Sequence, residues 1–165
     1  MPTGLLYMLG FAIALILALL MTPLVKRLAF RIGAIDKPNA RKVHTKIMPR
    51  LGGLAIYVAF VGAFLLLSPF IPEGLLRPRD VNLINALLSG GTIIIILGAL
   101  DDRFDLPPYV KLAGQFLAAG VLVLSGVVVD AFTFPFVHRV ELGDFGGPLT
   151  MFALVLLMNI VNFSD

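Results

Sequence analysis

The chain has 165 residues, of which 59% are hydrophobic and 14% charged, and its mean hydropathy is +0.99. These values exclude an ordinary soluble domain and point to an integral membrane chain. There is no cysteine, which excludes disulfides, Cys-based metal sites and thiol nucleophiles, and the formal charge of +3 comes from clustered residues, so placement matters more than sum.

The first apolar stretch, 4–25, lacks the basic n-region of a secretory signal and is too long for an h-region, so it reads as a retained span. A helix crossing the hydrocarbon layer needs about 20 apolar residues, and 4–25 supplies them. Segment 26–50 then carries Lys26, Arg27, Arg31, Lys37, Arg41, Lys42, Lys46 and Arg50, eight of the thirteen Lys and Arg in the chain. Such an excess marks a cytoplasmic loop. Basic residues there can simply face anionic headgroups. RKVHTKIMPRLGG goes further, running basics, His44 and Pro49 straight into Gly52 and Gly53 at the start of the second span, 51–71. Glycine permits close backbone approach and helix N-termini attract phosphate. His44 is a candidate acid or base, although a lone loop histidine is more often neither.

The third span, 83–100, ends in GALDDRFDLPP, which places Asp101 and Asp102 at a membrane boundary. Adjacent carboxylates repel, and a helix C-terminus favours cations over anions, so a purely structural role is disfavoured. A divalent ion or a basic cluster would reverse that balance, because hard ions take carboxylate and phosphate oxygens together. The bland alternative is a solvated loop beginning at Asp101. Asp105 would share the face of Asp101 if the helix continued, but Pro107 and Pro108 predict that it stops, leaving Asp105 in a loop.

Lys111 opens the fourth span, 111–129, either as a snorkelling interfacial lysine or as a cation for the acidic pair. Segment 130–148, DAFTFPFVHRVELGDFGGP, alternates apolar and polar residues around His138 and Arg139 and reads either as a small hairpin or as irregular loop. The fifth span, 149–165, ends in NIVNFSD, with Asn159, Asn162 and Asp165 at helical spacing on one face. Amides in a span are commonly glue between helices. Here they point to the same predicted aqueous face as the acidic pair, and they could equally complete a metal and phosphate site. The predicted fold class is therefore all-α: one polytopic transmembrane helical domain over 1–165 with five spans and a small extracytoplasmic hairpin. Alternation from the basic loop puts the N-terminus outside and 101–110 inside.

Three segments, HTKIMPRLGG, GALDDRFDLPPYVKLAGQ and NIVNFSD, resemble in this order the polyprenyl-phosphate N-acetylhexosamine-1-phosphate transferases, and the first is closer to the GlcNAc branch than to the pentapeptide branch. That family starts O-antigen, teichoic acid and related envelope glycans. The resemblance implies transfer of a sugar-1-phosphate from a UDP-sugar to a polyprenyl phosphate at the inner membrane, releasing UMP. It implies Mg²⁺, with Mn²⁺ as a substitute. Asp101 and Asp102 match the family's acidic pair, Lys111 a lysine on phosphate, Asn162 an asparagine near or on the metal, and Asp165 the first acid of a metal motif. Asp36, His44, Lys46 and Arg50 fall in the segment lining the nucleotide-sugar side, and Asn159 is a further candidate for substrate. No nucleic acid partner is expected, and a homodimer is left open. Family members have further spans and inner-face motifs, so the chain is expected to be an N-terminal part of a longer domain, inactive alone. The rival readings are an ion-coupled transport module, which usually keeps its polar groups near mid-bilayer, and an assembly subunit without chemistry.

Overall fold

The computed structural model describes residues 3–36, 47–72, 74–133 and 139–164. Among them the elements are α1 (Thr3–Ile32), β1 (Ile35–Asp36), β2 (Met48–Pro49), α2 (Gly52–Leu67), α3 (Pro78–Phe104), α4 (Pro108–Leu124), β3 (Ala131–Thr133), β4 (Arg139–Glu141) and α5 (Gly146–Ser164). Short 3₁₀ turns occupy Ser68–Phe70 and Gly143–Phe145. Four stretches, Gly4–Ile32, Gly52–Phe70, Pro78–Phe104 and Gly143–Asn162, are long and apolar enough to cross a membrane, and Pro108–Leu124 is a shorter apolar helix. The protein is an integral membrane protein of the all-α class, and its sheets are two small ladders.

The helices do not end where the apolar runs do. α1 continues past 25 through Lys26, Arg27 and Arg31, and α3 begins before 83 and runs past 100. Hydropathy marks the lipid layer, whereas a helix stops only at a backbone signal. For α1 that signal is Gly33, whose φ of +77° suits glycine; the next N–H, of Ala34, donates back to the Ala29 carbonyl at 2.9 Å. α4 is shorter than 111–129 because Ser125 and Gly126, the latter with φ +88°, close it.

The chain forms two compact units, residues 1–75 with 95–106, and residues 76–94 with 107–165. In the first, α1 packs on α2 along small residues. Ala55, Ala59 and Ala63, four apart, are buried, and Gly62 meets Leu17 while Gly10 meets Leu67. With lipid on the outside, burial of apolar area does not drive this pairing; close backbone approach does, through dispersion. Val25, Ala29, Ala34, Leu51 and Ala55 form its core, with Met21, Leu54 and Ala99 against them.

In the second unit α4 packs on α5, and Phe116 meets Phe152 edge to face at 5.5 Å. β3 and β4 pair antiparallel, with Phe132 opposite Val140, so of the two readings of this segment paired strands are what forms among the described residues. Gly90 lies against the Leu122 side chain and the Ala118 carbonyl, so it serves packing within the chain. Gly90→Val is expected to over-pack this contact at a cost of about 1–3 kcal/mol, read as a lower thermal unfolding midpoint in detergent.

Candidate active site

α3 ends in a turn built by its own acidic residues. Asp105 adopts a φ of +49°, a left-handed conformation that aspartate tolerates better than most residues. Its N–H donates to the Asp101 carbonyl at 2.8 Å, closing the helix with a single αL-type bond. The Leu106 N–H donates to Asp101 Oδ1 at 3.0 Å, so the first carboxylate of the pair also caps the helix that carries it. Asp105 is the loop residue that the two prolines predict. A solvated loop starting at Asp101 is not what forms: the helix runs to Phe104 and both carboxylates, each half-buried, accept main-chain N–H groups.

The second carboxylate reaches another helix. Asp102 Oδ2 accepts the Leu51 N–H at 2.9 Å, and Leu51 is the N-cap of α2. The unfavourable dipole at the end of α3 is thus offset by the favourable one at the start of α2. Leu51 achieves this with φ +71° while its side chain is only 3% exposed. A left-handed leucine costs about 1–2 kcal/mol, offset here by burial of its side chain in the core. Among the described residues Asp102 Oδ1 has no hydrogen-bond partner.

The neighbouring residue, Arg50, binds two more acids. The β1–β2 ladder sets Asp36 opposite Met48, and the Arg50 N–H donates to the Ala34 carbonyl at 3.0 Å. Arg50 Nη2 then donates to Asp36 Oδ1 at 3.3 Å and Nη1 to Asp105 Oδ1 at 3.0 Å. Burial would lower the Arg50 pKa, but the Asp105 hydrogen bond and the charges of Asp36, Asp105 and Asp102 outweigh it and hold it above its ordinary value. The guanidinium is a fixed cation. Gly33, Ile35, Asp36, Arg50, Asp102, Arg103 and Asp105 line an open, polar cavity of about 410 Å³.

Of the candidates from sequence, Asp36, Arg50, Asp101 and Asp102 come together in the first unit. Lys111, in the first turn of α4 and half-buried, Asn159 and the exposed Asn162 belong to the second unit. There Asn159 Nδ2 donates to Gln115 Oε1 at 2.7 Å and to the Val155 carbonyl at 2.8 Å, tying α5 to α4. His44, Lys46 and Asp165 lie outside the described residues. Sequence reasoning did not single out Arg103, Gln115 or the Leu51 N–H. A main-chain donor carries no residue-type signal, and an arginine following two aspartates reads as their counter-ion, which it is not. Among the described residues no three Asp, Glu or His side chains cluster as a metal cage.

Residues 84–165, which include the acidic pair, match the model for glycosyl transferase family 4. Over 157 residues the chain is 41% identical to a probable undecaprenyl-phosphate N-acetylglucosaminyl 1-phosphate transferase of Bacillus subtilis (strain 168), covering 94% of this chain and 41% of that relative. Over residues 84–165 the chain belongs to glycosyl transferase family 4. Two further relatives are a decaprenyl-phosphate N-acetylglucosaminephosphotransferase of Mycobacterium tuberculosis (strain H37Rv), 37% identical over 86% of this chain and 35% of the relative, and an undecaprenyl-phosphate alpha-N-acetylglucosaminyl 1-phosphate transferase of Escherichia coli (strain K12), 29% identical over 85% of this chain and 36% of the relative. This family-4 chain therefore spans between 35% and 41% of the length of these relatives. No solved structure matches it significantly.

Proposed function

We propose that this chain carries the acidic end of a transferase that moves GlcNAc-1-phosphate from UDP-GlcNAc to a polyprenyl phosphate. A lipid phosphate oxygen attacks the phosphorus next to the sugar, the bond from that phosphorus to the bridging oxygen breaks, and the oxygen leaves on UMP. The product is a lipid diphosphate bearing GlcNAc. The observation that carries this reading is the Asp101–Asp102 pair, held by main-chain N–H groups at the end of an apolar helix of spanning length and opening at Asp102 onto a polar cavity. The names of the relatives supply the substrate class.

Phosphoryl transfer asks a protein for positioning and charge neutralisation more than for covalent chemistry. The main-chain bonds to Asp101 and Asp102 fix two carboxylates before any substrate arrives. Arg50 offsets one of the two negative charges of Asp36 and Asp105, so the cavity wall repels a phosphate less strongly than the same acids would without it. The donors suit a hard divalent ion: they are carboxylate oxygens, and Mg²⁺ typically takes one or two carboxylates together with substrate phosphates rather than an all-protein cage. Asp101 and Asp102 would hold Mg²⁺, or Mn²⁺ in its place; Asn162 and Asp165 are the metal ligands that the family resemblance implies. Such an ion, when bound, neutralises charge on the diphosphate. Lys111, His44, Lys46 and Asn159 are proposed contacts to substrate. We place the reaction at the cytoplasmic face of the plasma membrane, supported by the eight basic residues between 26 and 50.

The test is direct. The chain, expressed with any coding sequence that follows residue 165, is reconstituted in liposomes with polyprenyl phosphate and given sugar-labelled UDP-GlcNAc. Label is expected in the lipid with one UMP released per sugar, stopped by EDTA and restored by Mg²⁺. Release of UDP instead would mean transfer of the sugar without its phosphate and would overturn the reading.

A further inference from the structure

Two guanidinium groups line the cavity beside Asp102, and they are not equivalent. Arg50 is committed: both of its terminal nitrogens donate to carboxylates, Asp36 and Asp105. Arg103 has no ion pair and no hydrogen bond among the described residues. Its Cζ instead lies 5.2 Å from the centroid of the Phe104 ring. The turn that ends α1 is also close: a Cβ added at Gly33 would be 3.9 Å from Arg103 Cζ and Nε. A guanidinium held over a ring keeps its edge N–H groups free, and those five donors in a planar fork match a phosphate. Arg50 is taken up by Asp36 and Asp105, so Arg103 is left as the positive charge of this cavity that an entering anion can use.

We propose that Arg103, not Arg50, is the cation of this cavity that binds a phosphate group of the reactants, and that Arg50 is a positioning residue that holds the acidic wall together. The proposal rests on the transferase reading above and names a ligand residue for it. The phosphate can be that of the sugar nucleotide or that of the lipid acceptor, since both present the same chemistry to a guanidinium.

The experiment separates those sources and separates this proposal from the reading beneath it. Wild type, R103A, R103K and R50K, each expressed with any coding sequence that follows residue 165, are prepared in zwitterionic liposomes, and the KM for UDP-GlcNAc and for polyprenyl phosphate are measured with the other substrate saturating. Loss of a charged hydrogen bond predicts that R103A raises one KM about tenfold or more, with R103K recovering most of the loss and R50K leaving both KM values within about threefold. A shift confined to UDP-GlcNAc assigns Arg103 to the nucleotide diphosphate; a shift confined to the lipid assigns it to the acceptor. Equilibrium dialysis of inorganic pyrophosphate against the same preparations reads the anion site without turnover. If wild type binds pyrophosphate through Arg103 yet transfers no sugar, the transferase reading fails and the anion site stands. If wild type turns over while R103A changes neither KM nor pyrophosphate binding by more than about twofold, the proposal is wrong. A deficit that appears only with anionic lipids in the vesicles also overturns it, because Arg103 would then be a headgroup contact. Should R103A fold poorly, R103Q removes the charge and keeps the stem.

Discussion

Asp102→Asn is expected to lower turnover about 100-fold or more while leaving the thermal midpoint within about a degree of wild type. The separation follows from geometry. An asparagine Oδ1 can still accept the Leu51 N–H that Asp102 Oδ2 accepts at 2.9 Å, so the tie between α3 and α2 survives and only the charge facing the cavity is lost. Asp102→Ala should lose the same activity and also stability, by about 1–2 kcal/mol, because the N-cap donor of α2 is left without its acceptor. Asp101→Asn is expected to behave like Asp102→Asn, since its Oδ1 still caps the end of α3 through the Leu106 N–H. The readouts are lipid-linked label per minute and the unfolding midpoint of the same preparations. Activity retained in both Asn variants would remove the acidic pair from the chemistry.

Arg50→Leu is expected to damage the fold more than the Asn variants do. It deprives the half-buried Asp36 and the exposed Asp105 of their shared cation and leaves three acids facing one another across the cavity. A fully buried pair broken on one side costs about 3–5 kcal/mol. Here the Asp36 side chain is 20% exposed and that of Asp105 86% exposed, so water screens part of the loss and about 1–2 kcal/mol is expected. Turnover should fall by about tenfold through displacement of Asp102, with KM for either substrate nearly unchanged. Arg50→Leu with Asp36→Asn removes the half-buried carboxylate together with its arginine partner and should recover about half of the lost stability, which a double-mutant cycle measures.

The sequence by itself determined the class of the molecule. Apolar runs without alternation leave helices as the only way to satisfy the backbone in lipid, and the five stretches they mark all form helices. That the helix stops near Asp105 was legible from Pro107 and Pro108, because Leu106, the residue before a proline, is kept out of the helical region. The acidic pair drew notice because two adjacent anions at a helix C-terminus are unfavourable without a partner. Helix ends were less legible: α1 and α3 run past their apolar stretches, since hydropathy reports solvent and only φ/ψ at Gly33 and Asp105 stops the helix.

Tertiary structure alone decided how the acids are held. Nothing in the spacing of residues 36, 50, 102 and 105 says that one arginine binds the first and last, or that the peptide beside it grips the third. That arrangement depends on a two-residue ladder, a left-handed leucine and the opposed ends of α2 and α3 meeting within hydrogen-bond distance. Local sequence fixes which charges exist and which turns are allowed. Which charge neutralises which, and which arginine is left over, is settled only when segments far apart in the chain are brought within about 3 Å.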